Sequence, residues 1–330
     1  MSQIYRLYAP GDLRLESFEL PPLGATDVHL RSRLGAISTG TESAWYFGTD
    51  PQLDPNYRPI RYDHPTFPKF LGYEKVAEIV ALGSAVKGYK IGQRVIANYG
   101  HADEYIWPAA KIAPIPDGIT DEEAVFSTLM NVASHGVRRS GIRIGDTVMI
   151  TGLGVVGMAT LISANLAGAG KIIVTDWNDQ RLELARQYGA DITFNSKDGA
   201  VAQTIIEQFG KGCVDLLFEC SASYEALVDG MAVTKRNGKV VVMAQLKGNY
   251  PSHPVFGVDF HLGELEMISS DGGWDIGQFG RWYFRAIQNG MIKDIDKLIS
   301  HRVSFADLNE GFRLIEQEPK QVLKVIVKYA

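Results

Sequence analysis

Three glycines in the middle of the chain have the spacing of a loop that binds a pyrophosphate. Residues 147–157 read TVMITGLGVVG and contain Gly152-x-Gly154-x-x-Gly157 after a short apolar run. In such a loop the first glycine permits a tight turn and the second lets the backbone approach the phosphates. The third lets the following helix pack close to the strand. This segment is therefore predicted to bind a dinucleotide.

An acidic residue after the next apolar run favours NAD as that dinucleotide. Lys171–Thr175 reads KIIVT and is followed by Asp176, about twenty residues after the glycines, the spacing of an acid that binds ribose hydroxyls. A 2′-phosphate would meet a like charge there, so NAD is predicted over NADP. Arg181 lies nearby in the sequence and could reach a phosphate instead. Val155 and Val156, at the start of the predicted helix, offer backbone N–H groups to the pyrophosphate.

The elements that would position these residues differ between the parts of the chain. From 119 to 271, short apolar strands alternate with helical patterns, which is typical of parallel βαβ units. Residues 1–118 are rich in glycine and proline and show alternating strand patterns with few helix signals. We predict an α/β chain with a Rossmann doubly wound parallel sheet over 119–271. A β-rich catalytic domain would combine 1–118 with the returning segment 272–330.

The composition of the chain excludes several functional classes. Its 330 residues suffice for two domains, and a net charge of −5 without a basic block gives no basis for nucleic-acid binding. No run approaches about eighteen apolar residues, so no membrane span is predicted. Two cysteines argue against a disulfide framework and favour a reducing, cytoplasmic location. The predicted partner is therefore a small-molecule substrate.

Several segments together resemble the medium-chain dehydrogenase/reductase superfamily, which includes the zinc alcohol and polyol dehydrogenases. Besides the glycine motif, the resemblance is carried by FPKFLGYEKVAEIVALGSAVKGYKIGQRV (67–95), RLELARQYGAD (181–191), FECSAS (218–223) and LKVIVK (323–328). It implies a GroES-like catalytic domain, a homodimer or homotetramer, and further cofactor contacts. Those contacts fall on Ser221 and Ala222 near the nicotinamide ribose, on Ala244 and Gln245 at the end of another strand, and on Lys324 at the pyrophosphate.

The departures from that family concern its metal. Members that bind zinc use an early cysteine, the histidine of a Gly-His-Glu segment and a later cysteine or glutamate. This chain has Ser38 in ISTGTE at the first position, Tyr73 in GYE at the second and Thr128 near the third. Neutral hydroxyl groups are poor zinc ligands, and the four-cysteine structural lobe is absent too. The sequence therefore predicts no metal and resembles a zinc-less subgroup, typified by bacteriochlorophyllide dehydrogenase and related to sugar and cyclitol dehydrogenases.

Without zinc, another group must take the proton of an alcohol substrate. A positioned acid or base typically contributes about 10²–10⁴-fold, so a side chain is expected in that role. Tyr73 is the first candidate, on the condition that its pKa is lowered; otherwise it only fills the space of the metal. The other candidates are carboxylates, small hydroxyls and one loop imidazole, namely Glu42, Glu74, Ser38, Thr41 and His64.

The sequence thus predicts a zinc-independent, NAD-dependent dehydrogenase that oxidises a secondary alcohol of a sugar, cyclitol or ring-bearing substrate. Hydride would pass between the carbinol carbon and C4 of the nicotinamide. Two alternatives stay open. One is a zinc-independent, NAD(P)H-dependent reductase of quinones or activated C=C bonds, against which Asp176 counts. The other is an NAD(H)-binding sensor that kept the fold and lost catalysis.

Overall fold

The chain divides into two compact units, Met1–Thr128 with Trp274–Ala330, and Leu129–Gly273. The structure is a computed structural model that describes residues 1–54, 65–245, 257–272 and 276–329. The first unit includes Asp121, whose carboxylate accepts hydrogen bonds from Arg33 and Arg94 of the same unit. Among the described residues, no helix has the length and apolar character needed to cross a membrane.

Strands and helices follow one another in an order that separates the two units. In chain order the strands of the described residues are β1 (Ser2–Ala9), β2 (Asp12–Phe18), β3 (Asp27–Ile37), β4 (Lys75–Leu82), β5 (Arg94–Ala97), β6 (Glu104–Pro108), β7 (Ala113–Pro114), β8 (Thr147–Thr151), β9 (Lys171–Asp176), β10 (Ile192–Asn195), β11 (Val214–Glu219), β12 (Thr234–Val242), β13 (Glu266–Ser269), β14 (Ile299–Ser304) and β15 (Lys324–Lys328). The α-helices are α1 (Thr41–Tyr46), α2 (Asp121–Ala124), α3 (Ser127–Ser140), α4 (Val155–Leu166), α5 (Asp179–Gln187), α6 (Val201–Phe209), α7 (Tyr224–Val233), α8 (Val258–Leu262), α9 (Ile276–Gln288) and α10 (Leu308–Gln317). Short 3-10 helices lie at Pro51–Leu53, Ala109–Lys111, Ile295–Leu298 and Phe305–Asp307.

The second unit is built on a six-stranded parallel sheet in the order β10-β9-β8-β11-β12-β13. Numbered within the unit, this is 3-2-1-4-5-6, the strand order of a doubly wound dinucleotide-binding fold. Residues of β8 and β11 are buried at almost every position, which explains their continuous apolar sequence. Met149, Ile173 and Leu217 are fully buried in the core. The strand order reverses between β8 and β11, so a ligand site is expected at the carboxyl ends of these strands.

The first unit contains a mainly antiparallel sheet in the order β14-β15-β3-β4-β5-β7, with β6 also paired to β3. β3 is antiparallel to both β15 and β4, with Ile37 opposite Val325 and Gly35 opposite Lys75. The end of β3 and the starts of β4 and β15 therefore meet at one end of the sheet. Polar residues that are far apart in the sequence are brought together there.

Candidate functional site

The glycine loop of the second unit has the backbone geometry of a phosphate-binding turn. Gly152 follows β8 with a φ of +81°, a left-handed conformation that favours glycine. A Cβ added to Gly157, in the first turn of α4, would stand 1.9 Å from the carbonyl oxygen of Gly152. A Cβ added to Gly154 would meet no atom within 4 Å. The N–H groups of Val155 and Val156 open α4 and have no carbonyl of a preceding turn to bond, so they can serve a ligand.

Asp176 ends β9 and is held rigidly beside this loop. Only 5% of its surface is exposed. Its carboxylate accepts hydrogen bonds from the backbone N–H of Leu153 at 2.6 Å and of Asn178 at 2.9 Å. Each carboxylate oxygen keeps a further lone pair with which to accept a ligand hydroxyl. Asp176 is therefore preorganised for the role that its position in the sequence predicts.

A cavity of about 360 Å³ opens beside these residues in the second unit. Its lining includes residues predicted to hold the cofactor and one aromatic ring, namely Gly152, Gly154, Asp176, Arg181, Ser221 and Trp177. Glu225 and Asp229 of α7 also line the cavity. The lining therefore contains three carboxylates, those of Asp176, Glu225 and Asp229, and one guanidinium group, that of Arg181.

Further residues predicted to contact the cofactor follow β11 and β12, and Ser221 and Ala244 among them hydrogen-bond to the buried residue Glu219. Oε1 of Glu219 accepts hydrogen bonds from the N–H of Ser221 at 2.7 Å and from its hydroxyl at 2.5 Å. Ala222 adopts a φ of +57°, and Ala244 donates its N–H to the carbonyl of Glu219 at 3.2 Å. Gln245 is exposed. Burial raises the pKa of Glu219, a residue that the sequence did not single out although it lies in FECSAS.

Ser38, Thr41 and Tyr73 form a hydroxyl cluster at one end of the sheet of the first unit. The Oγ of Ser38 accepts a hydrogen bond from the backbone N–H of Thr41 at 3.2 Å. The Tyr73 hydroxyl forms hydrogen bonds with the side chains of Ser38 and Thr41. Burial is the largest influence on the pKa of Tyr73 and raises it well above its ordinary value. Glu74 and Glu42 raise this pKa further. The condition of a lowered pKa, on which the sequence made Tyr73 an acid/base candidate, is therefore not met in this environment, and the role of Tyr73 stays a prediction.

The donors at this place do not suit a zinc ion. Two of the three positions at which the zinc-binding family members place ligands hold Ser38, a neutral hydroxyl, and Tyr73, a phenol whose pKa is raised by burial. Zinc prefers thiolate, imidazole and carboxylate ligands. Within the described ranges, no group of three or more His, Cys, Asp or Glu side chains is arranged to hold a metal. Ser38 and Tyr73 are therefore poor ligands for the metal that zinc-binding members of this family hold.

Glu74 and Lys324 form an ion pair with no exposed surface. Nζ of Lys324 donates to Oε1 of Glu74 at 2.7 Å and to the carbonyl of Ile37 at 3.2 Å, and both charged side chains are 0% exposed. Burial raises the pKa of Glu74, and Lys324 opposes that rise. The ammonium of Lys324 is enclosed by Glu74 and the end of β3, and its predicted contact with a pyrophosphate stays a prediction. We assign Lys324 to holding Glu74.

Glu42 faces residues that no sequence motif indicated. Its Oε1 accepts the N–H of Ser38 at 3.0 Å, and its Oε2 lies 2.9 Å from Nε2 of His101, which is completely buried. Nδ1 of His101 lies 3.3 Å from the hydroxyl of Tyr329. That hydroxyl also accepts a hydrogen bond from Nζ of Lys75. A buried polar network therefore extends from the hydroxyl cluster into the interior of the first unit.

The structure brings five of the six predicted catalytic candidates into this one region of the first unit, namely Ser38, Thr41, Glu42, Tyr73 and Glu74. The sixth, His64, lies outside the described residues. His101, Lys75 and Tyr329 are the functional candidates that were missed.

Comparison with known proteins gives two family matches and many full-length relatives. A family described as alcohol dehydrogenase GroES-like domain matches residues 46–117, and one described as zinc-binding dehydrogenase matches residues 155–282. An L-threonine 3-dehydrogenase of Chelativorans sp. (strain BNC1) is 30% identical over 91% of this chain and 91% of its own length. A D-guloside 3-dehydrogenase of Escherichia coli (strain K12) is 28% identical over 97% of this chain and 98% of its own length.

Solved structures with nicotinamide cofactors share the fold. A dehydrogenase from Sinorhizobium meliloti 1021 bound to NADP has a TM-score of 0.83 and 24% identity, with 99% of each chain covered. An alcohol dehydrogenase from E. coli CFT073 complexed with NADH has a TM-score of 0.83 and 21% identity, with 99% of each chain covered. The predicted fold class, a Rossmann sheet with a GroES-like domain, is confirmed.

Proposed function

We propose a function from one premise, which is that the chain belongs to the medium-chain dehydrogenase/reductase superfamily. It is an oxidoreductase that acts on CH–OH groups, and its fold supports a nicotinamide cofactor. The proposed reaction is the zinc-independent oxidation of a secondary alcohol with NAD. The proposed substrates are sugars, cyclitols or ring-bearing alcohols, and the D-guloside named for one relative supports a sugar.

One observation carries the proposal of zinc independence. Ser38 and Tyr73 hydrogen-bond to each other at two of the three positions where zinc-binding relatives place ligands. Zinc would otherwise polarise the alcohol oxygen as a Lewis acid. In its absence, hydrogen-bond donors aimed at that oxygen must stabilise the charge that develops there. The protonated phenol of Tyr73, oriented by Ser38 and Thr41, is the donor that we propose for this role.

The acidic lining of the cavity in the second unit supports NAD over NADP. The N–H groups of Val155 and Val156 would hold the pyrophosphate above Gly154, which leaves open space there. Asp176, already fixed by two backbone N–H groups, would accept the ribose hydroxyls. The nicotinamide ring, when bound, supplies the acceptor of the hydride.

Oxidation of a panel of alcohols tests the proposed function. Protein dialysed against a chelator is assayed for reduction of NAD⁺ and of NADP⁺ with sugars, cyclitols and ring-bearing secondary alcohols, while bound zinc is measured. We expect turnover without stoichiometric zinc and a kcat/KM at least about tenfold higher with NAD⁺, which corresponds to about 1.4 kcal/mol. Turnover that appears only after zinc is added back would contradict zinc independence. A preference for NADP⁺ would contradict the role of Asp176.

Tyr73→Phe is expected to lower kcat by about 10²-fold, because it removes the donor to the developing oxyanion. NADH affinity and the unfolding midpoint are expected to stay unchanged, since the ring remains in place. Tyr89→Phe is the matched control: it removes a hydroxyl that donates to the carbonyl of Ile112 at 3.1 Å, outside the hydroxyl cluster. Equal steady-state kinetics in Tyr73→Phe and Tyr89→Phe would remove Tyr73 from the mechanism.

The homodimer or homotetramer and the cytoplasmic location stay predictions from the sequence, as does the absence of nucleic-acid and membrane partners.

A further inference from the structure

His101 lies between the two segments that carry the hydroxyl cluster. Its backbone N–H donates to the carbonyl of Leu71 at 2.8 Å. Its ring lies against Gly72, where an added Cβ would stand 2.9 Å from Cδ2 and 3.0 Å from Nε2 of the imidazole. Nε2 also lies 2.9 Å from Oε2 of Glu42, in the first turn of α1. One completely buried residue therefore contacts both the segment that leads into Tyr73 and the turn that precedes α1.

Glu42 connects His101 to the turn between β3 and α1. Its side chain is 2% exposed, and its Oε1 accepts a hydrogen bond from the backbone N–H of Ser38 at 3.0 Å. Within the turn, the backbone N–H of Thr41 donates to Oγ of Ser38. The two oxygens of one carboxylate thus tie the turn to the imidazole. Because a buried carboxylate oxygen without a donor is unfavourable, His101 holds Glu42 in place, and Glu42 holds Ser38.

The neighbours of His101 determine which of its ring nitrogens carries the proton. As a carboxylate, Glu42 only accepts hydrogen bonds, so Nε2 of His101 carries a proton and donates to it. Burial lowers the pKa of His101, which favours the neutral imidazole and leaves Nδ1 as an acceptor. The hydroxyl of Tyr329 lies 3.3 Å from Nδ1 and itself accepts a hydrogen bond from Nζ of Lys75. The ring is therefore held on both sides, with its N–H directed at Glu42.

We propose that His101 and Glu42 position the hydroxyl cluster for the oxidation of the alcohol, an inference that rests on the proposed function. The Tyr73 hydroxyl can donate to the alcohol oxygen only when the hydroxyls of Ser38 and Thr41 donate to it, since it has a single proton. Oγ of Ser38 accepts from the N–H of Thr41 and keeps its own O–H for Tyr73. This arrangement requires a fixed distance between the turn and Tyr73, and His101 sets that distance by contacting both. His101 and Glu42 are positioning residues, which act on the substrate through Tyr73.

Two amide substitutions separate the positioning role of His101 from its part in packing. The amide nitrogen of glutamine lies as many bonds from its Cα as Nε2 of histidine does, and the amide nitrogen of asparagine as many as Nδ1. His101→Gln can therefore still donate to Glu42, whereas His101→Asn cannot. We expect kcat to fall about tenfold or more in His101→Asn and to stay within about threefold of the wild type in His101→Gln, with the Kd for NADH unchanged in both.

The matched control for these variants is His301→Asn. It removes another imidazole of the first unit whose Nε2 faces a carboxylate, at 3.7 Å from Oε2 of Glu318, outside the hydroxyl cluster. Its kcat is expected to equal that of the wild type. Equal kcat values in His101→Gln and His101→Asn would overturn the proposal, because only one of the two amides can replace the donor to Glu42.

Combination with Tyr73→Phe shows whether His101 acts through the phenol. Once the phenolic hydroxyl is gone, a displaced turn has no donor left to misplace. We therefore expect His101→Asn to lower kcat by about tenfold or more in the wild type and by less than about twofold in Tyr73→Phe. A His101 that only supports the fold would lower kcat by the same factor in both backgrounds, and that result would contradict the proposal. Unfolding midpoints of the four proteins show that each is folded at the assay temperature.

A further measurement needs no turnover and so separates this inference from the proposed function. Hydrogen exchange of the full chain, free of substrate and cofactor, follows the backbone N–H groups of Ser38 and Thr41, which donate to Glu42 and to Ser38. Both are expected to exchange about tenfold faster in His101→Asn and at the wild-type rate in His101→Gln, while the amides of β8 keep their rates in both variants. Unchanged exchange in His101→Asn contradicts the positioning of the turn even where alcohols are oxidised. Faster exchange in a chain that oxidises no alcohol rejects the proposed function, and His101 then positions the turn without a part in catalysis.

Discussion

Replacing Lys324 by methionine is expected to lower the free energy of unfolding by about 3–5 kcal/mol. Oε1 of Glu74 accepts a hydrogen bond from Lys324, and Oε2 of Glu74 has no hydrogen-bond partner among the described residues. Both side chains are 0% exposed. Without the ammonium, the carboxyl group must stay charged in the interior or take up a proton, and either is unfavourable at pH 7. Equilibrium unfolding in urea, followed by circular dichroism, measures the loss.

Two further variants separate lost charge from lost packing at this pair. The double variant Lys324→Met/Glu74→Leu removes both charges and is expected to recover most of the loss, since apolar groups can replace a buried pair at little cost. Lys297→Met removes the ammonium of an exposed pair with Asp294 and is expected to cost less than about 1 kcal/mol. A loss in Lys324→Met no larger than that in Lys297→Met would show that Lys324 does not stabilise the buried carboxyl group of Glu74.

The candidate cofactor site of the second unit could be located from the sequence because its signals are local. A strand, three glycines, a helix and Asp176 all lie within about thirty residues, the length of one βαβ unit. Such a unit has a fixed handedness, so the order of elements in the sequence determines where the loop and the acid meet. Glu219 could not be predicted as a site residue, because a single acidic residue at the end of an apolar strand matches no known sequence motif.

The polar interior of the first unit could be predicted only in part. Short motifs located Ser38 and Tyr73, but the partners that fix their chemistry are distant in the sequence. Tyr329 meets Lys75 and His101 across separations of 254 and 228 residues. Pairing of β3 with β4 and β15 creates these contacts, and no local periodicity encodes them.

One signal for the missed residues was present, in the alternation of β4. A strand places every second residue on the same face, so Lys75 shares a face with Ala77 and Ile79, which are buried. The surroundings of Tyr73 and Lys324 depend on burial, which neither motif indicates. Burial raises the pKa of Tyr73 and encloses the ammonium group of Lys324. A short sequence motif does not indicate how deeply its residues are buried.

Gly154→Ala and Gly157→Ala are expected to weaken NADH binding by two different routes. At Gly157 the new Cβ would stand 1.9 Å from the carbonyl oxygen of Gly152, so the turn itself must shift. We expect about 1–3 kcal/mol of lost stability and a Kd for NADH raised at least about 100-fold. At Gly154 the new Cβ meets no protein atom within 4 Å, and the backbone conformation, with φ −64° and ψ −179°, suits alanine. Fluorescence titration with NADH and urea unfolding measure both quantities.

Gly154→Ala is the more informative of the two, because its effect on folding and its effect on the ligand are separable. Its stability is expected to stay within about 0.5 kcal/mol of the wild type, since the added methyl group occupies open space. The same space is where a pyrophosphate must approach the backbone, so its Kd for NADH is expected to rise between about tenfold and 100-fold. A stable Gly154→Ala protein that binds NADH as tightly as the wild type would show that the phosphates lie elsewhere. Loss of affinity in Gly157→Ala alone would then reflect only the displaced turn.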